Sequence, residues 1–191
     1  VSILPERTGR TLPGDYLSEN GSGARAQMEI RPCRESDYQA ICDIYNYYIE
    51  NTVISFEETA LSVAELEERV VSYTQKYPWL VCLEGDELVG YAYANKWQLR
   101  CAYRLCVETT IYLKQGKSGM GFGSALYDVL LDRLQQQGLH IAIAGISLPN
   151  DASIKLHENC GFQKVAHFNE VGWKFDQWVD VGYWQKKLSA G

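Results

Sequence analysis

Residues 108–134 read ETTIYLKQGKSGMGFGSALYDVLLDRL, and this stretch decides the fold. The β-branched run at 108–113 predicts a strand, and the end of the stretch predicts a helix that begins near Ser124. The apolar face of that helix comprises Leu126, Val129, Leu130 and Leu134. The glycines between the two elements stand at positions 116, 119, 121 and 123. Such glycines let the backbone approach a ligand, and the helix directs free N–H groups to the same place, so the stretch predicts a phosphate or pyrophosphate site.

Two common nucleotide motifs do not fit this spacing. The P-loop GxxxxGK[ST] would need a glycine at position 111, where the chain has Ile111. The dinucleotide fingerprint GxGxxG, or its variant ending in alanine, needs a small residue at its sixth position. If the fingerprint begins at Gly119, its sixth position is Ser124, which is small but is neither glycine nor alanine. If it begins at Gly121, its sixth position is Leu126. ATP and NAD are therefore disfavoured, and a flexible glycine loop without a ligand is the alternative.

The remaining pattern, a GxG followed by an apolar helix, resembles the acyl-CoA loop of the Gcn5-related N-acetyltransferase (GNAT) superfamily. Other segments, taken in order, resemble its phosphinothricin acetyltransferase family, which includes methionine sulfoximine and methionine sulfone acetyltransferases. The resemblance extends over residues 28–188. The segments are YPWLV at 77–81, LVGYAYA at 88–94, LPND at 148–151, HE at 157–158, GF at 161–162 and WVDVGYWQ at 178–185.

The resemblance implies a fold and an activity. The fold would be the GNAT acyl-CoA N-acyltransferase fold, an α/β (α+β) architecture with a splayed mixed β-sheet flanked by helices. The activity would be transfer of the acetyl group of acetyl-CoA to the α-amine of a phosphinothricin, methionine sulfoximine or methionine sulfone type of amino acid analogue. Direct attack in a ternary complex, a detoxification role and a homodimer are implied as well. The alternatives are an acetyltransferase for a peptide N-terminus or a polyamine, and a non-catalytic acyl-CoA-binding relative.

The resemblance also assigns residues to acetyl-CoA. A splayed strand would leave backbone groups free for the pantetheine arm and the acetyl oxygen, and the glycine loop would hold the pyrophosphate. The assigned residues are Ile111, Tyr112, Leu113, Gly119, Met120, Gly121, Phe122, Gly123, Ser124 and Asn150. An Asx turn is the alternative for Asn150. The superfamily usually has Gln or Arg where this chain has Ser118, and Lys114 and Lys117 are candidates to replace that charge.

Two side chains are predicted to carry the chemistry. An ammonium has no lone pair, so the acceptor must lose a proton, and the resemblance gives this role to Glu108. Partial burial would raise its pKa toward the working range, whereas an exposed strand glutamate without a role is the alternative. His157 stands where many superfamily members have a tyrosine that protonates the leaving thiolate. Its alternative is a helix-face histidine that only packs or hydrogen-bonds, and a covalent route through Cys160 is disfavoured.

The acceptor pocket is predicted from aromatic, polar and cationic residues. Arg100 suits a carboxylate or phosphinate, which a guanidinium can grip through two hydrogen bonds, and a surface ion pair is its alternative. The complete predicted set is Phe56, Gln98, Leu99, Arg100, Tyr103 and Thr110. The tryptophans Trp173, Trp178 and Trp184 are expected in the core or in a dimer interface.

Composition narrows the class of protein. The chain has 191 residues, 46% of them hydrophobic, and a net charge of −6, which suits one globular domain and disfavours nucleic acid and anionic membrane surfaces as partners. The sequence has no apolar run long enough to predict a membrane span. Its six cysteines form no CxxC pair and only three histidines are present, so no metal site is predicted. Buried free thiols are expected, and they favour the cytoplasm.

Residues 1–27 have no sustained hydrophobic period and no apolar segment typical of a secretory signal. We expect a disordered extension, an upstream start or a cloning remnant here, and an N-acetyltransferase domain at 28–188. Within that domain, Ser62 and Glu65 predict a capping box, and Glu84-Gly85-Asp86 a hairpin turn. Asp151 is predicted to cap a short helix. The last two strands are expected near 164–169 and 181–187.

Overall fold

The computed structural model describes residues 27–188. The prediction for residues 1–27 therefore falls, apart from Gln27, outside the described residues. The strands are β1 (Met28–Pro32), β2 (Trp79–Glu84), β3 (Glu87–Lys96), β4 (Cys106–Leu113), β5 (Ile141–Leu148), β6 (Gln163–Lys174) and β7 (Gln177–Lys187). The α-helices are α1 (Tyr38–Asn51), α2 (Val63–Thr74), α3 (Phe122–Gln136) and α4 (Asp151–Asn159), and single 3-10 turns lie at Glu35–Asp37 and Cys101–Tyr103.

The strands form one seven-stranded sheet in the order β1-β2-β3-β4-β5-β7-β6. All neighbours are antiparallel except β4 and β5, which are parallel and paired only from Cys106↔Ile141 to Glu108↔Ile143. Beyond that point each strand continues without pairing to the other. The predicted mixed sheet, splayed at its centre, is confirmed.

Helices cover both faces of this sheet. On one face α3 and α4 pack against a core that contains Leu80, Leu126 and Leu130, and on the other α1 and α2 pack around Ile41 and Val81. Successive side chains of a strand point to opposite faces, so Leu80 and Val81 enter different cores. Burial on both faces explains why β2 and β3 are nearly unbroken apolar runs. Among the residues that the structure describes, no helix is both long and apolar enough to cross a bilayer.

Local sequence signals predicted the first residues of helices α2 and α4, and only the prediction for α2 is correct to the residue. The capping box is confirmed, because the Ser62 hydroxyl accepts a hydrogen bond from the Glu65 N–H while the Glu65 carboxylate accepts one from the Ser62 N–H. The prediction that Asp151 caps α4 is wrong by one residue. Asn150 is the cap, since its Oδ1 accepts from the Ser153 N–H at 3.2 Å, and Asp151 is the first helical residue. Both residue types are good caps, so local preference did not separate them.

The final hairpin is longer than predicted. Strand β6 extends past Asn169 to Lys174, and β7 begins at Gln177 rather than near Val181. A register shift between Phe168 and Gly172, with Glu170 at a φ of +53°, breaks the alternation by which a strand is recognised. The extension brings the tip of the hairpin beside α1.

Candidate active site

Glu108 lies at the point where β4 and β5 separate. It is the last β4 residue paired with β5, and on its other side it pairs with Asn95 of β3. A Cβ built on Gly145 would lie 3.7 Å from Glu108 Oε1 and 3.2 Å from the Tyr183 ring, so the missing side chain leaves room for the carboxylate. Burial raises the pKa of Glu108 above its ordinary value. A carboxylate in this setting is more basic than one in water.

A cavity of about 520 Å³ opens in front of this carboxylate. Glu108 shares it with aromatic side chains and with hydroxyl, amide and charged groups. They include Tyr45, Phe56, Glu57, Arg69, Tyr93, Asn95, Thr110, Tyr112, Tyr127, Ser147, His157 and Tyr183. Within residues 27–188, the buried Asn95 Oδ1 and Ser147 Oγ have no hydrogen-bond partner, so this cavity offers polar atoms to a ligand.

A second cavity, of about 500 Å³, continues from the first along the splayed strands. The two share Ile54, Ile111, Tyr112, Asn150 and Ser153, so a ligand in one can reach the other. Of the residues predicted to bind acetyl-CoA, this cavity brings together Ile111, Tyr112, Leu113, Gly119, Gly121, Gly123, Ser124 and Asn150. Met120 and Phe122 are absent from its lining, because Met120 is exposed and Phe122 is buried in the core beneath α3.

The glycine loop differs slightly from its predicted form. Helix α3 begins at Phe122, two residues before Ser124, with Gly121 as its N-cap. Gly119 and Gly121 have φ values of +78° and +92°, and a Cβ on either would meet nothing within 4 Å. The requirement for glycine there is conformational, since left-handed backbone disfavours a side chain. The resulting turn directs the first amides of α3 toward the second cavity.

The predicted replacement of the missing loop cation by Lys114 and Lys117 does not fit the structure. Lys114 Nζ pairs with Glu87 at 2.6 Å, and Lys117 Nζ pairs with Glu84 at 2.6 Å, at the turn between β2 and β3. Neither lysine lines the second cavity, whereas Lys155 of α4 does. Among the described residues Lys155 has no ion pair. The helical spacing of Ala152, Lys155, Leu156 and Asn159 after the cap was the sequence signal for this face.

His157 is buried, and both of its ring nitrogens have partners. Nδ1 lies 2.7 Å from the Ser153 carbonyl oxygen, and Nε2 lies 2.7 Å from the Tyr127 hydroxyl. Because a carbonyl only accepts, Nδ1 carries the proton and donates it, so Nε2 accepts from Tyr127. Burial also lowers the pKa of His157 below its ordinary value, which favours this neutral form. The geometry therefore favours the packing alternative over direct protonation of a thiolate.

The predicted acceptor pocket is only partly assembled. Phe56 and Thr110 line the first cavity as predicted. The other four predicted residues do not line it: Gln98, Leu99, Arg100 and Tyr103. They lie in the segment between β3 and β4, where these side chains are exposed to solvent, and Leu99 is 86% exposed. The segment nevertheless starts beside the cavity, where the Trp97 ring meets that of Tyr183 at 5.5 Å.

The arginine that lines the first cavity is Arg69 of α2. Its Nη1 lies 2.7 Å from Glu57 Oε1, and the same oxygen accepts a hydrogen bond from the Tyr45 hydroxyl at 2.9 Å. Arg69 was not predicted as a site residue because it follows Glu65, Glu67 and Glu68 in an amphipathic helix. In that setting the sequence favours a solvent-side ion pair with Glu65, four residues earlier. Its position next to the buried Val70, on the edge of the apolar face, was the available signal.

The tryptophans and cysteines divide by environment. Trp184 is in the core, while Trp173 and Trp178 are 50% and 59% exposed and pack on each other with ring centres 4.9 Å apart. All six cysteines are free thiols, of which Cys42, Cys82 and Cys160 are buried and Cys101 is exposed. Burial raises the pKa of Cys160, so this thiol is a poor nucleophile. Within residues 27–188, no group of three or more His, Cys, Asp or Glu residues is arranged to hold a metal ion.

Comparison with known proteins decides the family. The profile of the Acetyltransferase (GNAT) domain family matches residues 30–182. The chain belongs to the GNAT acetyltransferase family. A phosphinothricin N-acetyltransferase of Streptomyces viridochromogenes is 38% identical over 165 residues, which cover 86% of this chain and 90% of that protein. An L-methionine sulfoximine/L-methionine sulfone acetyltransferase of Salmonella typhimurium is 32% identical over 165 residues, 84% of this chain and 95% of that protein.

Solved structures give the same fold. The phosphinothricin acetyltransferase of Sinorhizobium meliloti, a GNAT superfamily protein crystallised with acetyl-CoA, superimposes with a TM-score of 0.80. It is 34% identical, and the match covers 84% of this chain and 88% of that one. The predicted GNAT fold and N-acetyltransferase class are therefore confirmed for this chain.

Proposed function

We propose that this GNAT protein transfers the acetyl group of acetyl-CoA to the α-amine of a small amino acid analogue of the phosphinothricin, methionine sulfoximine or methionine sulfone type. The observation that carries the proposal is the position of Glu108. Its half-buried carboxylate lies at the separation of β4 and β5 and lines the first cavity, which continues past Ile111 and Tyr112 of the same strand into the cavity beside the glycine loop. A base is needed in the amine site beside the acyl donor, and Glu108 lines the cavity that we propose as the amine site.

Glu108 accepts a proton from the bound ammonium, directly or through a water molecule, and the free amine then attacks the thioester carbonyl. The C–S bond breaks as the amide forms, and the CoA thiolate that leaves takes up the proton that the attacking nitrogen loses. Acetyl-CoA supplies the acetyl group as a thioester, which needs no covalent enzyme intermediate. The β5-facing edge of β4 beyond Glu108 is not paired with β5, so its backbone N–H groups can polarise the thioester carbonyl. We assign to His157 the role of holding Tyr127 in place and do not assign it protonation of the thiolate.

The second cavity fits acetyl-CoA by its chemistry. The loop from Gly119 to Gly121 and the start of α3 would hold the pyrophosphate on backbone N–H groups, as helix N-termini do. Ile111 to Leu113 would pair with the pantetheine arm. Asn150 uses Oδ1 to cap α4, which leaves its amide N–H groups for the arm. Lys155 would supply the positive charge that Ser118 does not.

We propose a homodimer through the β6–β7 hairpin. Its outer surface exposes large apolar side chains that a monomer would leave in water: Val165, Phe168, Val171, Trp173, Phe175 and Trp178. Trp173 and Trp178 pack on each other within this set, and a group of exposed large apolar side chains is typical of a protein interface. Sedimentation of the wild type against Trp178→Asp tests this assignment, since a charge on the patch should shift a dimer toward monomer.

The compartment that we propose is the cytoplasm, and the role is detoxification. The six free thiols support a reducing compartment. Acetylation of an amino acid analogue removes the charge of its amine, which would prevent recognition by enzymes that bind the parent amino acid. A fusion with a fluorescent reporter locates the protein, and growth on methionine sulfoximine with and without the gene tests the role.

The decisive experiment follows thiol release from acetyl-CoA with a panel of amines. The panel contains methionine sulfone, methionine sulfoximine, phosphinothricin, ordinary amino acids, spermidine and a peptide N-terminus. Turnover confined to the first three compounds supports the proposal. Turnover only with spermidine or the peptide would replace the acceptor and keep the reaction, whereas acetyl-CoA binding without turnover of any amine would show a non-catalytic relative.

A further inference from the structure

Asn95 lies directly opposite Glu108 on the neighbouring strand. Strands β3 and β4 are antiparallel with Asn95↔Glu108 in register, so both side chains stand on the same face of the sheet, and both line the first cavity. Directly opposed residues of such a pair have Cβ atoms about 5 Å apart. A ligand bound at the Glu108 carboxylate is therefore also within reach of the Asn95 side chain.

The Asn95 amide has an oxygen that the protein leaves unpaired. Its Oδ1 is buried and, within residues 27–188, has no hydrogen-bond partner. A buried acceptor without a donor is unfavourable, and asparagine is uncommon in strands, so the sheet itself gains nothing from this residue at the end of the apolar run of β3. The torsion that turns an asparagine amide is soft, so the oxygen can face the cavity when a ligand brings a donor.

Glu108 presents a matching acceptor. In the described part of the chain, burial alone raises the pKa of Glu108, without a hydrogen bond to its carboxylate. Oε1 lies 3.7 Å from the Cβ position that Gly145 lacks, so the carboxylate leans toward β5 and leaves room on the side of Asn95. The two residues thus offer two oxygen acceptors at one place, an arrangement that suits an ammonium.

The spacing of the two residues fits a single nitrogen. Two oxygens that accept hydrogen bonds of about 2.9 Å from one tetrahedral nitrogen lie about 4.7 Å apart. A directly opposed pair of residues on a sheet has nearly this separation, about 5 Å. Ser147 also has a buried and unpaired Oγ, but it lies four residues past Ile143, the partner of Glu108 on β5, and is therefore less suitable.

We propose that the side-chain oxygen of Asn95 binds the ammonium of the acceptor together with Glu108 and orients the amine for attack. Of the three hydrogens of the ammonium, Glu108 takes one as a proton, and the lone pair that this frees attacks the thioester. The hydrogen held by Oδ1 stays on the nitrogen of the amide product, and the third is lost to the leaving thiolate. The inference rests on the function proposed above, and it concerns the reacting amine of the acceptor.

The test compares Asn95→Leu, which keeps the approximate size and removes the oxygen, with Asn95→Asp, which keeps an oxygen in the same place. It measures kcat and KM for methionine sulfone in the wild type and in each variant, and the KM for acetyl-CoA reports whether each variant is folded. Asn95→Ala takes the place of Asn95→Leu if the leucine variant no longer binds acetyl-CoA. Asn51→Leu is the matched control, because Asn51 is exposed at the end of α1 and outside both cavities.

Asn95→Leu should raise the KM for methionine sulfone about tenfold, the size of one lost hydrogen bond to a charged group, and should lower kcat as well. The KM for acetyl-CoA should stay unchanged. Asn95→Asp should keep or lower the KM for methionine sulfone, because its carboxylate still accepts from the ammonium. Its kcat should fall, since a second negative charge favours the protonated amine. Asn51→Leu should change none of these values.

Two results would overturn the inference. One is a KM for methionine sulfone within twofold of the wild type in folded Asn95→Leu or Asn95→Ala. The other is a KM that rises as much in Asn95→Asp as in Asn95→Leu, because the amide N–H would then be the group that contacts the acceptor, through its α-carboxylate. Failure of the proposed function gives a different result, in which the wild type binds acetyl-CoA and acetylates no amine of the panel, and the inference then falls with that function.

Discussion

Glu108 of β4 and Ile143 of β5 form the last residue pair in the register of these two parallel strands. Past this pair the strands separate, and the space between them joins the two cavities. The same irregularity of the sheet therefore opens the space that the two cavities share and leaves the Glu108 carboxylate in the lining of the first cavity. Pairing with Asn95 on the β3 side keeps the backbone of Glu108 in the sheet, so the side chain is positioned by a rigid strand.

Replacement of this carboxylate should separate catalysis from binding. Glu108→Gln keeps the shape and removes the base, so kcat should fall by about a hundredfold or more, with little change in acetyl-CoA affinity. Thiol release gives the rate and calorimetry gives the affinity. Glu68→Gln is the control, because Glu68 is an exposed carboxylate of α2 outside both cavities. Equal activity of Glu108→Gln and the wild type would exclude Glu108 as the base.

The same variant should be more stable than the wild type at neutral pH. Burial raises the pKa of Glu108 in the folded state, so the folded protein holds this proton more tightly than the unfolded chain. The resulting stabilisation is present below the pKa of the unfolded chain and is lost as the pH rises through the raised pKa. Urea unfolding should give Glu108→Gln a higher free energy of unfolding than the wild type at pH 7.5 and no such difference at pH 4.

His157 should make the protein sensitive to mild acid. Burial lowers the pKa of His157 in the folded protein. The imidazole therefore takes up a proton near pH 6.5 in the unfolded chain, but only at a lower pH in the folded protein. Stability should then decrease as the pH falls from about 7 toward 5.5, and His157→Asn should flatten this part of the curve. Urea midpoints measured across that range check the prediction.

The catalytic alternative for His157 predicts a different result. If the imidazole protonated the leaving thiolate, His157→Asn would abolish the basic limb of the kcat profile against pH, and Tyr127→Phe would leave it intact. If His157 holds Tyr127, the two variants should lower kcat by similar factors, because each removes one partner of the same 2.7 Å contact. The pH profile of kcat thus decides between the two roles.

Lys155 should contribute to acetyl-CoA affinity through its charge. Lys155→Met is expected to weaken binding about tenfold at low salt, with a smaller difference at high salt, because an exposed charge is screened. Titration calorimetry at two ionic strengths measures both effects. Lys76→Met, an exposed lysine outside both cavities, is the control, and Lys114→Met tests the competing assignment. A larger loss in Lys114→Met than in Lys155→Met would contradict the structure-based choice.

Lys174 should stabilise the fold and the wall of the acceptor cavity together. Its buried Nζ donates to the carbonyl oxygens of Ile49 at 2.6 Å and Ser55 at 2.7 Å, which ties the tip of the β6–β7 hairpin to the segment after α1. Lys174→Met would leave both carbonyls without this donor and should cost about 2–4 kcal/mol of unfolding free energy. The acceptor KM should rise as well, since Ser55 and Phe56 line the cavity.

Urea unfolding and steady-state kinetics check both parts of this prediction. Lys164→Met is the control, because Lys164 is on the same hairpin and is exposed. An unchanged acceptor KM in a destabilised but folded Lys174→Met would show that the contact serves stability alone.

The sequence determined those features whose cause is local. The apolar runs of β2 and β3, the capping box at Ser62 and the glycines before α3 each follow from the preferences of a few adjacent residues, and each was predictable. The order of short motifs from residue 77 to residue 185, taken together with the glycine loop, was sufficient to predict the family. Glu108 and the backbone of Ile111 to Leu113 could be assigned because they belong to that same local unit.

Tertiary structure decided every feature that depends on residues distant in the chain. That Arg69 and not Arg100 lines the first cavity depends on how α2 packs against α1 and β2, and helical periodicity does not predict a cavity at the edge of a buried face. Lys114 and Lys117 were predicted to hold phosphate because they are near the loop in sequence, but the β2–β3 turn brings Glu84 and Glu87 to them. His157 similarly depends on Tyr127, thirty residues earlier, which occupies the nitrogen that catalysis would need. Ion pairs and hydrogen bonds form only between groups a few ångströms apart. Which pairs form therefore depends on the distances between residues in the folded chain.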